Sequence, residues 1–362
     1  MKPKLLLISA ISPTPQNSGG ATRIHHTLQE LSKYYQVDFI TFDESLLKLG
    51  PKKINLFFKK GIPYWFSPWY SPKLISHISK LIKKNNYDII QVEFSQLLYL
   101  VKYLPKNTKK IFVAHDISSI SFYRRIFENK PSLLKIISRY LFFLEIYFYE
   151  KKYLPKFDTI ISVSQKDKIT LQQQFPNQKI ICLENGIDKI DFIKKTPSNI
   201  INLGYIGSFS HTPNLNAVKY FFDEIAPLLD KEKIIYKFYL AGNNDSKFIQ
   251  DIFSSQNLIN LGQIKETKEF YKKIDCLITP IFSGSGSRIK ILEALSFGVP
   301  IISSPIGAEG INIQSSYLQI ANTPQEYLNY LQSIPKDKYQ NLKPQLEPLL
   351  WKNIFNSYPK II

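Results

Sequence analysis

The sequence predicts an α/β fold with two doubly wound parallel-sheet (Rossmann-like) domains that face each other across a cleft. Three observations carry this prediction. The chain has 362 residues, a length that suits two domains. Short apolar runs alternate with helical patterns along it, as in parallel strand–helix–strand units. A polar stretch with a proline, residues 189–199, interrupts the alternation near the middle and is typical of a linker.

The first half opens with a short core strand and alternates from there, so we assign residues 1–188 to the first domain. Ser164 directly precedes a predicted helix and suits its N-cap position. The predicted strands are Leu5–Ile8, Val37–Thr41, Ile89–Val92, Lys110–Ala114, Thr159–Val163 and Lys179–Leu183, and the predicted helices are Ala21–Tyr35, Pro72–Asn85, Phe94–Leu104, Leu133–Leu154 and Gln165–Phe175.

The second half repeats the alternation without repeating the sequence, and residues 200–344 form the predicted second domain. Its predicted strands are Ile201–Ile206, Tyr236–Ala241, Leu258–Leu261, Cys276–Pro280, Ile301–Ser303 and Leu318–Ile320, and its predicted helices are Asn214–Leu229, Ser246–Phe253, Glu266–Lys273, Arg288–Phe297 and Pro324–Ser333. Ligands of such sheets bind at the carboxyl ends of the strands, so the cleft between the domains is the predicted active site.

Composition narrows the class of protein. Cys182 and Cys276 both lie in apolar strand patterns, so we expect reduced core thiols and no disulfide or metal framework. The chain starts with a core strand and has no signal-peptide pattern. Its nearest approach to a membrane span, Ser132–Leu154, contains six charged residues, too many for a bilayer-crossing helix. We therefore expect a cytosolic protein.

The net charge of +18 is concentrated in the first half: residues 1–200 carry 31 Lys and Arg against 15 Asp and Glu, and residues 201–362 carry 16 against 14. Such a field favours an anionic substrate, polyanion or membrane surface, although compositional drift explains it equally well. Residues 59–73, KKGIPYWFSPWYSPK, combine aromatics and lysines as membrane interfaces do, unless Trp65 and Trp69 simply pack on the domain. No motif or basic arm indicates nucleic-acid binding.

The segment Asp275–Gly310 has the pattern of a phosphate site. A predicted buried strand leads into a Gly/Ser loop, Ser283–Ser287, and then into a helix that begins with Arg288 and Lys290. Glycine lets a backbone approach an anion, and a helix N-terminus directs free N–H groups toward it. Cations at that end oppose the helix dipole, so their placement there is locally unfavourable. A bound anionic ligand would make the placement favourable. Otherwise the loop merely carries two solvated cations.

Other candidate residues follow predicted strands and would border the same cleft. Gly19 and Gly20 end a long loop, a setting that is often functional, and His115 could position a substrate hydroxyl. Each also has a structural interpretation, as a helix-entry turn or a backbone-bonded histidine. The strand-end candidates of the second half are Gly207, Ser208, Gly242, Asn243, Gly262 and Gln263, and Glu293, on the helix that begins with Arg288, could bind a ribose diol. The remaining histidines are scattered, so we expect no metal site.

Several of these segments, taken in order, resemble the GT-B glycosyltransferases of the "group 1" or family-4-like class. The resemblance covers nearly the whole chain. It rests on SPTPQNSGGATRIHHTLQELSKYYQVDFIT, YDIIQVE, the pair His115-Asp116, FDTIISVSQKDK and LENGID in the first half, and on GYIGSFSHTPNLNAVKYFFDEIAP, FYLAGN, LGQI and GSGSRIKILEALSFGVPIISSPIGAEGI in the second. Their combined order is far more specific than any one of them.

The resemblance implies a GT-B fold and a nucleotide-diphosphate sugar as co-substrate, bound by the second domain, with a glycan or lipid-linked acceptor on the first. It implies retention of anomeric configuration, no metal and no other cofactor. Arg288 and Lys290 would neutralise the leaving diphosphate, and His115 would position the transferred sugar. The donor-binding residues would be Gly19, Gly20, Ser208, Gly242, Gly262, Gln263, Ile264, Ser285, Gly286, Ser287 and Glu293. Residues 345–362, with Trp351, would cross back onto the first domain.

The chain departs from the family pattern at two places. Many members have two glutamates separated by seven residues, and here Ser285 replaces the first while Glu293 is the second. Many also place an Arg and a Lys after the first strand of the second domain, where this chain has Ser208 and His211. An inactive nucleotide-binding GT-B scaffold is therefore one alternative. A nucleotide-sugar epimerase is another, but it would need a cluster of carboxylates and histidines as acid and base groups.

Overall fold

The computed structural model describes residues 2–16, 18–41, 56–128, 131–195, 198–242, 256–284, 288–334 and 341–361. It contains two six-stranded parallel sheets flanked by helices, one in each half of the chain. The predicted fold class, two doubly wound α/β domains, is therefore confirmed.

The first sheet has the strand order β2-β1-β3-β4-β5-β6. All its described pairings are parallel, and its central strands are buried, which explains their nearly continuous apolar sequences. The strands are β1 (Lys4–Ser9), β2 (Gln36–Thr41), β3 (Ile89–Glu93), β4 (Lys109–Ala114), β5 (Thr159–Ser162) and β6 (Ile180–Cys182).

Three of the six helices described around this sheet begin at a serine whose side chain caps the helix. Ser18, Ser71 and Ser164 each accept a hydrogen bond from a backbone N–H of the first helical turn. The helices are α1 (Gly19–Leu31), α2 (Phe57–Lys60), α3 (Pro72–Lys84), α4 (Ser118–Arg124), α5 (Leu133–Tyr153) and α6 (Gln165–Gln174), with 3₁₀ turns at Tyr64–Trp69, Ser95–Tyr103 and Leu154–Lys156. The predicted α-helix at Phe94–Leu104 is thus a 3₁₀ helix, entered through Phe94 at a positive φ of 74°.

The second sheet has the order β12-β11-β10-β7-β8-β9 and is again parallel. Its strands are β7 (Ile201–Ile206), β8 (Tyr236–Ala241), β9 (Leu258–Gly262), β10 (Cys276–Thr279), β11 (Ile301–Ser303) and β12 (Leu318–Ile320). The strand order reverses between β10 and β7, and an open sheet offers a ligand crevice at the carboxyl ends of the strands that flank such a point.

The helices of this half are shorter than the sequence predicts. The expected helix Asn214–Leu229 is split by a π-turn at Phe221–Ile225, which lies just before Pro227, a residue that cannot donate the usual backbone bond. The predicted helix at Ser246–Phe253 lies outside the described residues. The helices are α7 (Thr212–Tyr220), α8 (Ala226–Lys231), α9 (Thr267–Lys273), α10 (Ile289–Ser296) and α11 (Pro324–Gln332).

The final segment packs against the first sheet. Trp351 and Phe355 lie in one buried cluster with Leu5, Leu7 and Leu31, and Ile187 pairs with Leu350 in an isolated parallel bridge. The segment forms α12 (Lys343–Leu346), a 3₁₀ turn at Glu347–Leu349, α13 (Trp351–Phe355) and α14 (Tyr358–Ile361). The residue limits assigned to the domains and the linker stay a prediction. No helix in the described ranges is both long and apolar enough to cross a membrane.

Candidate active site

Lys290 lies at the start of α10, where its side chain contacts two neutral groups. Its Nζ donates to Asn214 Oδ1 at 3.2 Å and stands 4.1 Å from the centre of the Tyr205 ring. Burial, reinforced by Arg288, lowers the pKa of Lys290 to about 7. A bound anion would stabilise the charged form of such a lysine, because the anion offsets the hydration lost on burial.

Arg288 occupies the N-cap position of α10 and donates from Nη2 to the Ser283 carbonyl at 3.3 Å. Burial lowers the pKa of its guanidinium, which stays charged. The positive field extends to His211 before α7, whose pKa is lowered by burial and then by Arg125, Lys290 and Arg288. The structure thus brings the two predicted cations together. Ser285, Gly286 and Ser287, also predicted for this loop, lie outside the described residues.

Asn214 fixes the position of Lys290. Its Oδ1 also accepts from the Tyr205 hydroxyl at 2.6 Å, and its Nδ2 donates to the Ser208 carbonyl at 2.7 Å. This links α7, β7 and α10 at the carboxyl end of the sheet. No sequence pattern singles out Asn214 or Tyr205 beyond their place in the GYIGSFSHTPNLN segment.

Glu293 lies one helical turn beyond Lys290 and is half-buried. The Tyr271 hydroxyl donates to the Lys290 carbonyl at 2.9 Å and lies 3.3 Å from Glu293 Oε2. Burial raises the pKa of Glu293 to about 7, although the Tyr271 bond opposes this. The carboxyl group can therefore take up a proton near neutral pH, and the same group can accept bonds from a diol when ionised.

Three strand ends of the second sheet meet at glycines. Gly242 N donates to the Gly262 carbonyl at 2.8 Å, and Gly207 N donates to the Ala241 carbonyl at 3.0 Å. A Cβ on Gly242, whose φ is 129°, would overlap the Gly207 carbonyl oxygen, whereas one on Gly262, at φ 62°, would meet no atom within 4 Å. Of the other predicted residues here, Ser208 and Ile264 are half-buried and Gln263 is exposed.

Gly19 and Gly20 open α1 in the first domain. A Cβ on Gly19 would lie 3.5 Å from the Ile289 side chain, so this helix start adjoins the start of α10. A Cβ on Gly20 would lie 3.1 Å from the Phe94 ring and 3.2 Å from Ile11, and packing within the domain accounts for this glycine. The structure therefore brings Gly19 next to Ile289, the residue between the two cations, and gives Gly20 a structural reason.

His115 follows β4 and is held on two sides. Its Nε2 lies 2.7 Å from Glu93 Oε2, and its ring stacks on Phe94 with the centroids 3.7 Å apart. Burial lowers the pKa of His115, and the hydrogen bond to Glu93 opposes that shift. A carboxylate can only accept, so Nε2 carries the proton and Nδ1 of the neutral ring is an acceptor.

Glu93 is fully buried and was not predicted as a site residue. Its Oε1 accepts from Gln91 Nε2 at 2.5 Å, and the Tyr358 hydroxyl of the final helix donates to Gln91 Oε1. The C-terminal segment is thereby linked to His115 through three side chains. One feature of the sequence indicated Glu93: it ends a buried strand. Burying a carboxylate costs free energy unless a partner hydrogen-bonds to it.

A second set of unpredicted residues joins the two domains beside the loop before Arg288. Arg124 of α4 pairs with Glu309 at 2.5 and 2.8 Å and donates to the Gly284 carbonyl at 2.6 Å. Glu128 Oε1 accepts from Ser283 Oγ at 2.9 Å and Asn216 Nδ2 at 2.6 Å. In the ranges that the structure describes, no group of three or more His, Cys, Asp or Glu side chains could hold a metal ion.

Two family models match this chain in succession. The family described as "Glycosyltransferase Family 4" matches residues 17–189, and the one described as "Glycosyl transferases group 1" matches residues 201–337. Together they account for most of the chain, including both walls of the cleft. The chain belongs to the GT-B glycosyltransferases of this family-4-like class.

Solved structures share the fold at low sequence identity. Sucrose-phosphate synthase from Thermosynechococcus elongatus matches with a TM-score of 0.74 at 14% identity, covering 99% of this chain and 98% of that one. HepE from Anabaena, solved in complex with UDP and glucose, matches with a TM-score of 0.63 at 12% identity over 98% of both chains. A curated relative, a 44.6 kDa protein of the cps region of Klebsiella pneumoniae, is 23% identical over 88% of this chain and 87% of its own.

Proposed function

We propose that this protein transfers a sugar from a nucleotide-diphosphate sugar to a glycan or lipid-linked acceptor in the synthesis of a cell-surface polysaccharide. The observation that carries the proposal is the pairing of Arg288 and Lys290 at the start of α10, next to glycine-lined strand ends. Burial has lowered the pKa of both side chains. A diphosphate would bring negative charge to this pair, and the peptide N–H groups of the helix start would add to its binding.

The cation pair also suits the chemistry. When the bond between the sugar and the diphosphate breaks, negative charge grows on the leaving oxygen. Fixed cations stabilise that charge with little reorganisation, and such preorganised groups supply a large part of many rate enhancements. We propose that Arg288 and Lys290 serve here without a metal ion. We also propose retention of anomeric configuration, in line with the family resemblance.

His115 would position the transferred sugar on the opposite wall. With its Nε2 proton held by Glu93, the acceptor atom Nδ1 suits a hydroxyl of the sugar. Gly19, adjacent to Ile289, would bring the first turn of α1 near the donor phosphates. Glu293 would accept from the ribose, while Ser208, Gly242, Gly262, Gln263, Ile264 and residues 285–287 would line the remaining donor site.

The relatives support the biological setting. One belongs to the cps region of Klebsiella pneumoniae, another is a lipopolysaccharide outer core galactosyltransferase, and a third was solved with UDP and glucose. We propose by analogy a surface-glycan acceptor and a nucleotide diphosphate as leaving group. The basic first domain is consistent with enzyme action at the inner face of an anionic membrane.

The second candidate is an inactive nucleotide-binding scaffold, favoured by Ser285 in place of the usual glutamate. A panel of UDP-, GDP- and ADP-sugars separates the two functions. We expect one donor class to raise the melting temperature of the wild type and to be slowly hydrolysed, with both effects lost in Arg288→Ala and Lys290→Ala. A shift without any hydrolysis or transfer would support the scaffold. No shift at millimolar nucleotide would contradict both.

A further inference from the structure

Helix α5 presents an apolar stripe to solvent. Leu134, Ile137, Leu141 and Phe148 recur at intervals of three, four and seven residues, which places them on one face. Their exposed fractions are 79%, 49%, 56% and 55%. We call this set the α5 face. A contiguous exposed surface of this kind marks a contact site more often than a lone exposed leucine does.

Neighbouring segments widen the α5 face. Tyr123 of α4 is 56% exposed, and its ring lies 5.5 Å from that of Phe143 on α5. Phe58 of α2, the most exposed of these side chains at 89%, belongs to the segment next to the carboxyl end of the helix, where Gly61 lies near Lys152 and Tyr153. The apolar surface therefore continues beyond a single helix.

The predicted membrane segment, residues 59–73, packs beneath this surface. Tyr64 stacks on Phe142 with ring centres 5.3 Å apart, and Trp65 meets the same ring edge-on at 5.9 Å. Trp65 and Trp69 are half-buried against the first core. Trp65 thus packs against the inner side of α5, and the outward surface is on the helix itself.

Charge on α5 is divided between its two sides. Both of its carboxylates point into the domain: Glu145 accepts from Tyr64 N at 2.8 Å, and the buried Glu150 accepts from Ser118 N at 2.9 Å and Ser119 N at 3.2 Å. Lys135, Lys151 and Lys152 are exposed. The outer side of the helix is therefore apolar and cationic, with its anions withdrawn.

Cations also gather where the helix ends. Lys102, Lys152 and Lys156 approach the ring of Tyr153, at 4.9, 5.8 and 5.5 Å from its centre. All three lysines are exposed at the surface. We call them the lysine cluster. The three lysines belong to three different helical segments, so the positive charge extends beyond the edge of a single helix.

We infer that the α5 face and the lysine cluster dock this protein onto the surface of an anionic phospholipid bilayer. The apolar side chains would enter the boundary between headgroups and acyl chains, and the lysines would remain among the phosphates. A symmetric contact with a second copy of the chain would instead oppose like charges. The inference deepens the proposed function, because it names the surface that would bring the enzyme to a lipid-linked acceptor.

The test is co-sedimentation with vesicles of phosphatidylglycerol and phosphatidylcholine, without donor or acceptor. We expect the wild type to bind at low ionic strength and to be released by salt. The triple variant Leu134→Gln, Ile137→Gln, Leu141→Gln should bind about tenfold less, since interfacial binding scales with buried apolar area. Ile169→Gln, an equally exposed position on α6 (58% exposed), is the matched control and should bind like the wild type.

Charge is tested separately with Lys152→Gln and Lys156→Gln together, which should weaken binding several-fold and flatten its salt dependence. No binding of the wild type at low salt, or full binding of the triple variant, would overturn the inference. So would sedimentation velocity showing a wild-type dimer that the triple variant dissociates. Nucleotide-induced thermal shifts, measured on the same variants, report on the donor site alone, so failure of one proposal is distinguishable from failure of the other.

Discussion

The charged side chains on the two walls of the cleft have different kinds of partner. On the second domain, Lys290 is held by the neutral Asn214 amide and the Tyr205 ring. On the first domain, carboxylates are matched internally: Glu93 holds His115, and Glu150 caps α4. A cation among neutral groups gains from an external anion, whereas a matched carboxylate fixes the groups around it. We infer that the second wall binds the charged part of the donor and that the first wall orients the sugar.

The largest expected effect comes from removing the cations. We predict that Arg288→Ala or Lys290→Ala lowers turnover by about 10²- to 10³-fold, the range found when one transition-state donor is deleted. Nucleotide affinity should fall roughly 10- to 100-fold for a lost charge-assisted bond. Steady-state kinetics and nucleotide titration measure the two effects. Lys237→Ala, an exposed lysine on β8, serves as the control, and equal losses there would contradict the assignment.

A smaller effect is expected on the first wall. Glu93→Gln keeps the shape of the side chain but removes the charge that fixes the His115 proton on Nε2. We predict a fall in kcat of about tenfold with little change in KM, because Glu93 orients His115 through one hydrogen bond. The double variant with His115→Ala should be no slower than His115→Ala alone. Additive losses would mean that Glu93 acts independently of His115.

The glycines of the second wall give a matched pair for stability. Gly242→Ala places a Cβ onto the Gly207 carbonyl oxygen, whereas Gly262→Ala meets open space and only the strain of a positive φ. We predict a loss of about 1–3 kcal/mol or more for Gly242→Ala, as overpacking costs, and about 1–2 kcal/mol for Gly262→Ala. Urea unfolding of both variants compares them. A larger loss at Gly262 would show that the strand ends pack differently.

Lys290 should also affect the stability of the empty protein. Its pKa is lowered on folding to about 7, so the unfolded chain binds more protons between that pH and its ordinary pKa. The resulting penalty is complete below about pH 7 and disappears as the pH rises toward the unfolded value. We predict that Lys290→Met melts at a higher temperature than the wild type at pH 6, with a smaller difference at pH 10. A variant that is less stable at both pH values would contradict this.

The sequence predicts the architecture more completely than it predicts the side-chain contacts. Alternating apolar runs located the described strands of both sheets, and the Gly/Ser loop before Arg288 located the cation pair, because both are local patterns. Glu93, Asn214 and the Arg124–Glu309 pair depend on residues far apart in the chain, which periodicity does not reveal. The membrane role proposed for residues 59–73 stays a prediction: Trp65 and Trp69 are half-buried against the first core, and such packing is another contact that local sequence does not reveal.

The central claim is that Arg288 and Lys290, the half-buried cations at the start of α10, bind a diphosphate, and proton linkage tests this claim most directly. Calorimetric titration with UDP, GDP and ADP at pH 8, in two buffers of different ionisation enthalpy, measures protons taken up on binding. Because an anion raises the lowered pKa of Lys290, we predict proton uptake for the nucleotide that binds wild type and its disappearance in Lys290→Gln. Binding with no proton uptake, or with the same uptake in the variant, would contradict the account.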